Sequence, residues 1–336
     1  MSVSLKEISL RCGVSTATVS KALNGARDVS EATRERVCAM AAEMGYLPNA
    51  AARSLKTNRT NNIGVLFRDE ADSGLTHEYF AAVLESFKSE AEANGFDITF
   101  INTNNASMSY YDHCIYRNVD GVVIVCSDFT SQQVLELINS SLPLVSIDYI
   151  FNGKTAVLSD NARGMTDLFH YIYQRGHRKI AYIHGAPSSV SEARLVSFYR
   201  AAERAGLNIP DHYVRQGVFH DSAACSRITA ELLDLPDPPT CILFPDDFSA
   251  LGGLNEIRQR GLRIPQDISV AGYDGIHLAR VLEPPLSTLH QDTSVMGRVA
   301  AQQLIELIEH PKTTPARTTV VKGELWAGGS VGALNL

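Results

Sequence analysis

The hydrophobic pattern divides the chain into a short helical segment and a long segment in which strands alternate with helices. From residue 62 onward, short apolar runs rich in β-branched residues alternate with amphipathic stretches that end at glycine. The runs that predict buried parallel strands are 63–67, 98–101, 121–126, 144–147, 179–184, 240–244 and 268–272. The helices predicted between them include 77–94, 161–175, 192–205 and 248–260. Because the pattern breaks at 148–160 and then starts again, we expect two similar, doubly wound α/β lobes.

The first sixty residues predict short helices and no strands. Ser4 and Glu7 form a capping box for a helix over 5–12, and Gly13 permits the sharp turn that leads to a second helix over 16–23. Ser15 caps this second helix. Two short helices joined by a glycine turn predict a helix-turn-helix.

A third helix is predicted to begin after Ser30 and to end before Pro48. Four apolar residues of the first two helices and their turn are spaced to meet in one small core, Ile8, Val14, Val19 and Leu23, and the third helix has an apolar stripe of Val37, Met40, Ala41 and Met44. A supported helix-turn-helix is typical of a DNA-binding domain.

Charge is distributed unevenly along the chain. Residues 1–60 carry nine basic and five acidic side chains, a net charge of +4, which leaves −11 for the remainder of a chain whose total is −7. A basic segment joined to an acidic one fits a DNA-binding domain attached to a domain that does not bind nucleic acid.

Composition excludes several other classes of protein. The 336 residues leave room for two or three compact units. No apolar run approaches the ~18 residues of a membrane span, and Lys6, Glu7 and Arg11 interrupt any signal-peptide core, so we expect a cytoplasmic protein without membrane contact. The six cysteines lie at least twelve residues apart, which excludes a CxxC pair.

Sequence motifs for catalysis and metal binding are weak. Residues 328–332, GGSVG, match the nucleophile elbow, but only four residues follow, too few for the helix that this motif needs. The ten histidines include no HExxH motif. We therefore expect no catalytic residue, metal or cofactor.

The segment LKEISLRCGVSTATVSKALNGARDVSEATRERVCAMAAEMGYLPNAAARSLKT at 5–57 closely resembles the DNA-binding head and hinge of the lactose repressor (LacI/GalR) family of bacterial transcription regulators. This resemblance implies that Thr16, Ala17 and Lys21 read base edges in the major groove, where Lys21 can donate to guanine. It also implies that a set of polar side chains faces the phosphates: Ser15, Thr18, Ser20, Asn24, Ser30, Thr33 and Asn49. The alternative for Thr16 and Ala17 is simple helix capping and propensity.

The segment 49–61 contains a helix-prone stretch too short to be stable alone. The resemblance implies that two such hinge helices pair in the minor groove, with Ala52 and Leu55 facing it and Leu55 wedged between base pairs. The alternative is that Leu55 packs against the head.

Charged or aromatic residues follow several predicted strands, where ligands bind in parallel sheets, and they are Arg68, Asp148, Phe219, Asp246 and Asp274. Carboxylates beside an aromatic face suit a sugar or polyol. Further segments, VDGVVIV, LPLVSID, GHRKIAYIHG, DDFSALGGLNEIRQRG, IPQDISVAGYDG and EPPLSTLHQD, resemble the effector domain of the same family, which is related to periplasmic sugar-binding proteins. That resemblance adds Tyr79 and Arg194 to the predicted effector site.

Five of the effector-site residues also have a structural interpretation. The alternatives are a helix cap for Asp246 or Asp247, a turn for Asp148 and Asp274, an exposed helix position for Arg194 and a core position for Phe219. The loop SGLTHEYF, where the family usually has Asn-Pro-Phe-Phe, departs from the family pattern.

The combined expectation is a ligand-responsive repressor that binds a pseudo-palindromic double-stranded operator as a homodimer. The predicted divisions are a head at 1–48, a hinge at 49–61 and an effector and dimerisation domain at 62–336, with lobe 1 at 62–159 and 290–318 and lobe 2 at 160–289 and 319–332. The expected effector is a small molecule between the lobes, a sugar in preference to a nucleobase, another metabolite or a protein co-regulator. A solute-binding protein and an enzyme on the same scaffold are the alternatives from other classes.

Overall fold

A computed structural model of the chain describes residues 3–26, 28–46, 59–69, 73–104 and 107–334. These residues form two separate compact units, one extending to Thr60 and the other starting at Asn61. The predicted DNA contacts Asn49, Ala52 and Leu55 lie outside the described residues.

The first unit contains the predicted helices, which are α1 (Leu5–Cys12), α2 (Thr16–Leu23) and α3 (Glu31–Glu43). The capping box forms as predicted, since the Ser4 hydroxyl accepts from the Glu7 amide at 3.3 Å and the Glu7 carboxylate accepts from the Ser4 amide at 2.7 Å. The buried core consists of Ile8, Cys12, Val19, Ala22, Val29, Val37 and Ala41. Each helix is short, so this shared core stabilises all three.

α3 ends before Pro48, as predicted, but a glycine turn ends it and not the proline. The helix ends at Glu43 because Gly45 adopts a left-handed φ of 66° and the Tyr46 amide donates back to the Ala41 carbonyl at 2.9 Å. This glycine turn satisfies carbonyls that would otherwise be unpaired at the end of the helix.

The second unit begins with lobe 1, whose first elements are β1 (Asn62–Phe67), α4 (Glu78–Ala93), β2 (Asp97–Phe100), α5 (Tyr110–Arg117), β3 (Gly121–Cys126), α6 (Gln132–Asn139), β4 (Leu144–Ile147) and β5 (Thr155–Ser159). Lobe 2 follows, with α7 (Asn161–Gln174), β6 (Ile180–His184), α8 (Ser189–Arg204), β7 (Val214–Gln216), α9 (Ser222–Leu233), β8 (Cys241–Leu243), α10 (Asp247–Gln259), β9 (Ser269–Asp274), α11 (His277–Val281) and β10 (Ser287–His290). The chain then returns to lobe 1 for α12 (Thr293–Glu309) and β11 (Thr318–Val321), and to lobe 2 for β12 (Glu324–Trp326). Short 3₁₀ turns occupy Gly74–Thr76 and Asp211–Tyr213.

The described residues build one six-stranded sheet in each lobe. In lobe 1 the order is β2-β1-β3-β4-β5-β11, and all neighbouring strands are parallel. In lobe 2 the order is β7-β6-β8-β9-β10-β12, with β12 antiparallel and the others parallel. Helices cover these sheets, so the predicted doubly wound architecture is confirmed.

One predicted lobe boundary is wrong by a few residues. The strand Thr318–Val321 pairs with β5 along its whole length, and the Val321 carbonyl accepts from the Asp160 amide at 2.8 Å. Residues 319–321 therefore belong to lobe 1, and the last crossing between lobes lies between Val321 and Glu324. The other two crossings follow β5, which ends at Ser159, and β10, which ends at His290.

Among the described residues, no helix has the length and apolarity needed to cross a membrane.

Candidate effector site and DNA-binding helix

The strand order in each lobe reverses between β1 and β3 and between β6 and β8. Ligands bind outside the carboxyl ends of strands at such a point, and here a cavity of about 480 Å³ lies between the lobes. All seven residues predicted for the effector site line this cavity: Arg68, Tyr79, Asp148, Arg194, Phe219, Asp246 and Asp274. Arg68 is exposed, whereas the other six residues are buried or half-buried.

Arg194 lies near the start of α8 with only 3% of its surface exposed. Its Nε donates to the Asn161 side chain at 2.7 Å and its Nη1 donates to the Pro245 carbonyl at 3.0 Å. The guanidinium lies 3.5 Å from the ring centroid of Tyr273. Burial by itself lowers the pKa of Arg194, but Tyr273 and Asp274 outweigh burial and raise it. The arrangement holds a permanent cation in a fixed orientation, which excludes the exposed-helix interpretation.

Asp274 ends β9, and its carboxylate accepts a hydrogen bond from the side-chain nitrogen Nε2 of Gln291 at 2.6 Å. The Arg194 Nη2 lies 3.8 Å from the same carboxylate oxygen. Burial raises the pKa of Asp274 to about 7, against the opposing effect of Arg194. The Oε1 oxygen of Gln291 is buried and has no hydrogen-bond partner among the described residues. A buried acceptor without a donor is costly, so this oxygen favours a ligand that carries a hydroxyl or an N–H group.

Asp148 follows β4 with a left-handed φ of 54°. Its two carboxylate oxygens accept from the Ser159 amide at 2.7 Å and from the Tyr79 hydroxyl at 3.1 Å. Burial raises the pKa of Asp148, whereas the Ser159 hydrogen bond lowers it. Asp148 thus lies in a turn and also lines the cavity, and it fixes the Tyr79 hydroxyl there.

Asp246 is a helix cap, the alternative predicted for it from the sequence. Its carboxylate accepts from the Ser249 amide at 2.7 Å and from the His220 amide at 3.0 Å, so it caps α10 and holds the loop after β7. Asp247 lies apart from the cavity wall and accepts from the Thr288 hydroxyl at 2.7 Å and the Ile276 amide at 3.0 Å. Asp246 therefore combines the capping role with a position in the cavity, whereas Asp247 joins lobe 2 strands and loops.

Phe219 reaches the cavity because residue 185 is glycine. A Cβ placed on Gly185 would lie 2.1 Å from the Phe219 ring, so a larger residue would displace the ring. The Arg194 guanidinium lies 5.8 Å from the centroid of this ring. The ring thus presents an apolar face next to the buried cation, as a ligand with C–H surfaces requires.

Two histidines of the cavity wall were not predicted from the sequence. The rings of His77 and His220 stack with centroids 4.3 Å apart, and Phe248 stacks on His220 at 3.9 Å. Two further rings in the wall, Phe129 and Tyr149, also stack, at 4.4 Å. His77 lies in the segment SGLTHEYF, whose departure from the family pattern could have marked it as a site residue. The ring on which it stacks, His220, lies 143 positions further along the chain, so the pair could not be predicted.

In the first unit, the residues predicted to read bases share the exposed surface of α2. Thr16, Ala17 and Lys21 are exposed, whereas Val19 and Ala22 are buried against the other helices. The face of α2 that carries these three side chains is therefore available to a groove of DNA.

Several predicted phosphate contacts also hold the helices in place. The Ser15 and Ser30 hydroxyls accept from the amides of Thr18 and Thr33 and so cap α2 and α3. The Asn24 side chain donates to the Ser20 carbonyl at 2.6 Å at the other end of α2. Capping does not exclude contact with phosphates.

The serine of GGSVG is structural. Ser330 is fully buried, donates to the Val270 carbonyl at 2.7 Å and accepts from the Ser287 amide at 2.8 Å. These bonds join the C-terminal segment to lobe 2, so Ser330 is not a nucleophile.

A helix-turn-helix unit and a two-lobed α/β unit with a polar, aromatic-lined cleft define a DNA-binding regulator with a ligand-binding domain. Residues 4–49 match the family of bacterial regulatory proteins of the lacI type, and residues 169–331 match the periplasmic binding protein-like domain. The chain is 34% identical over 316 residues to the HTH-type transcriptional repressor PurR of Haemophilus influenzae, with 91% of each chain covered. It is also 34% identical over 313 residues to the ribose operon repressor of the same species, with 91% of this chain and 92% of the relative covered. The chain belongs to the lacI family of bacterial transcriptional regulators.

The fold agrees with a solved structure, the Lac repressor dimer bound to operator and the anti-inducer ONPF. The TM-score is 0.83 at 24% identity, with 99% of this chain and 100% of that chain covered. The curated relatives are transcriptional repressors, so the expectation that this chain is not an enzyme is confirmed.

Proposed function

We propose that this protein is a repressor that binds a pseudo-palindromic operator as a homodimer and responds to a sugar in the cleft between its lobes. The observation that supports the ligand site is the Arg194 cation, fixed in the cavity by Asn161 and Pro245 beside the carboxylate of Asp274. The proposal assigns ligand contacts to the predicted effector residues, which all line one cavity.

The chemistry of the cavity favours a sugar. Hydroxyl groups can donate to the Oε1 oxygen of Gln291 and to the Asp274 carboxylate, and they can accept from Arg194. The Phe219 ring offers a face for the C–H surface of a sugar ring. One of the curated relatives is a ribose operon repressor, which supports the same class of ligand.

The proposed DNA contacts use the exposed face of α2. Thr16 and Ala17 would contact base edges with a hydroxyl and methyl groups, and Lys21 would donate to guanine O6 and N7. The polar residues Ser15, Thr18, Ser20, Asn24, Ser30, Thr33 and Asn49 would hold the phosphates. Ala52 and Leu55 would enter the minor groove. The second member of a dimer would supply the other half-site.

A nucleobase is the second candidate effector. The chain is as similar to PurR as it is to the ribose operon repressor. The stacked aromatic rings in the cavity wall, Phe129 with Tyr149 and His77 with His220, suit a flat ligand. A protein co-regulator is the third candidate.

A thermal-shift screen of the full-length protein against ribose, other sugars, polyols and nucleobases tests the ligand class. A ligand present at 100 times its Kd adds about 2.7 kcal/mol to the free energy of unfolding, which gives a clear rise in Tm. A selective sugar response supports the proposal, and a selective nucleobase response overturns it in favour of the second candidate. Silence across the panel overturns the sugar assignment in favour of a protein partner.

Binding of the protein to duplexes selected from a random library tests the DNA function. The selected sequences should be pseudo-palindromic, and the effector should change operator affinity through a coupling of about 1–3 kcal/mol. Selection of no sequence, or of an asymmetric single site, would contradict the repressor dimer.

A further inference from the structure

The loop between α2 and α3 carries a carboxylate that bonds directly to a predicted base-reading residue. The Lys21 ammonium in the last turn of α2 donates to the Asp28 carboxylate. The two side chains remain 53% and 57% exposed, so the pair lies at the surface. The hydrogen bond from Lys21 lowers the pKa of Asp28, and the pair is ionised at neutral pH.

The backbone holds Asp28 in this position from both sides. The Ala26 amide donates to the Lys21 carbonyl at 3.0 Å, and the Ala26 carbonyl accepts from the Arg34 guanidinium at 3.2 Å. On the other side, Val29 is buried in the core of the first unit. Ala26 is therefore anchored to the end of α2 and to α3, Val29 is anchored in the core, and the carboxylate between them contacts Lys21.

A second ion pair of the first unit lies entirely on α3 and does not involve α2. Glu31 and Arg34 pair at 3.1 Å within the first turn of α3. Neither residue lies on α2, so this pair has no bond to a predicted base reader. It provides a reference for the effect of a carboxylate in the head that does not act on Lys21.

We propose that Asp28 is a specificity-determining residue, which holds the Lys21 ammonium at the base edges and away from the phosphates. This inference rests on the proposed DNA-reading function of the head. A free lysine is a flexible point charge that neutralises whichever phosphate is nearest. That contact strengthens binding to every sequence equally.

The Asp28 carboxylate changes this balance in two ways. It offsets the positive charge of Lys21, so the DNA phosphates attract this side chain less and binding to a random duplex is weaker. It also leaves further N–H donors of the ammonium available for guanine O6 and N7, because the ammonium has three donors and the carboxylate uses one of them. Discrimination between operator and random DNA therefore increases.

The test compares Asp28→Asn with Glu31→Gln, which removes the same charge from the neighbouring pair. Full-length proteins are titrated with a random-sequence duplex and with a duplex selected by the wild type, by fluorescence anisotropy across a salt series. Asp28→Asn should tighten random-duplex binding by about threefold to tenfold and steepen the salt dependence by about one released ion. Affinity for the selected duplex should change less, so the specificity ratio falls. Glu31→Gln should leave the ratio unchanged.

The background Lys21→Ala separates a direct role of Asp28 from a role through Lys21. In this background Asp28→Asn should no longer change the salt dependence. Equal effects of Asp28→Asn and Glu31→Gln, or an unchanged Asp28→Asn effect without Lys21, would overturn the inference. If the wild type selects no duplex, the proposed function itself fails. Circular dichroism confirms that each exposed-site variant is folded.

Discussion

The imidazole rings of His77 and His220 stack across the cleft with centroids 4.3 Å apart and planes inclined by 22°. His77 precedes α4 in lobe 1, and His220 belongs to the loop after β7 in lobe 2. Burial and the neighbouring His220 lower the pKa of His77 to about 4, although Asp246 and Asp69 act in the opposite direction. This contact between lobes is therefore made by an uncharged His77 at neutral pH.

Acid should weaken this contact. The ordinary pKa of His77 is 6.5, above its value of about 4 in the folded protein, so its contribution is complete above pH 6.5 and is lost as the pH falls toward 4. The loss amounts to about 3 kcal/mol by pH 4. In His77→Phe, which keeps a ring but cannot be protonated, Tm should fall less steeply over this pH range.

The exposed His212 provides the control for this experiment. His212→Phe should leave the acid dependence of Tm as it is in the wild type. If His77→Phe and the wild type show parallel curves between pH 7 and 4, the stacked pair does not respond to acid.

Asp274 should stabilise the folded protein at low pH, which is opposite to the pH dependence expected from His77. Its pKa in the folded protein is about 7, above the ordinary value of 3.8, so its favourable contribution is complete below pH 3.8 and is lost as the pH rises through 7. Asp274→Asn imitates the neutral form. The Tm of this variant relative to the wild type should therefore rise between pH 4 and 8.

Asp267 is a useful comparison, since its hydrogen bonds with Arg263 lower its pKa to about 2. Asp267→Asn should not gain in Tm relative to the wild type as the pH rises. A constant difference between Asp274→Asn and the wild type across this range would mean that Asp274 is not protonated in the folded protein.

Arg194→Ala should remove the ligand response and also destabilise the protein. Loss of the guanidinium leaves the buried Asn161 side-chain oxygen and the Pro245 carbonyl without their donor, which costs about 1–3 kcal/mol. The thermal shift produced by the best compound of the screen should disappear, whereas binding to DNA should remain at temperatures below the lowered Tm. Arg263→Ala, at an exposed position, is the control. A variant that still responds at the concentration sufficient for the wild type would remove Arg194 from the site.

Gly185→Ala should damage the cavity without adding or removing a charge. Its Cβ would lie 2.1 Å from the Phe219 ring, which would have to move. We expect at least about a tenfold loss of ligand affinity, equivalent to about 1.4 kcal/mol. In Gly64→Ala, by contrast, the new Cβ would meet side chains at 3.4 Å, an ordinary contact, and ligand affinity should be retained. Calorimetric titration of both variants makes the comparison, and equal affinities would show that the Phe219 ring position is unimportant.

Much of the fold could be predicted because it depends on neighbours in the chain. The Ser4 and Glu7 capping box involves groups three positions apart, and it forms as predicted. The strands that were missed, among them β5 and β11, are short and lack a continuous apolar run. β11 is recognised as a strand of lobe 1 only through its pairing with β5, which lies some 160 positions earlier.

The helix-turn-helix, the alternating α/β pattern and the strand ends that carry Arg68, Asp148 and Asp274 follow from the amino-acid order alone, since caps, periodicity and strand ends are local features. Three contacts of the site come from the folded chain: His77 stacks on His220, Asn161 and Pro245 hold Arg194, and Gly185 makes room for Phe219. These contacts join different strand ends and different lobes. Their geometry depends on sheet order and on packing between distant segments, which no local pattern specifies.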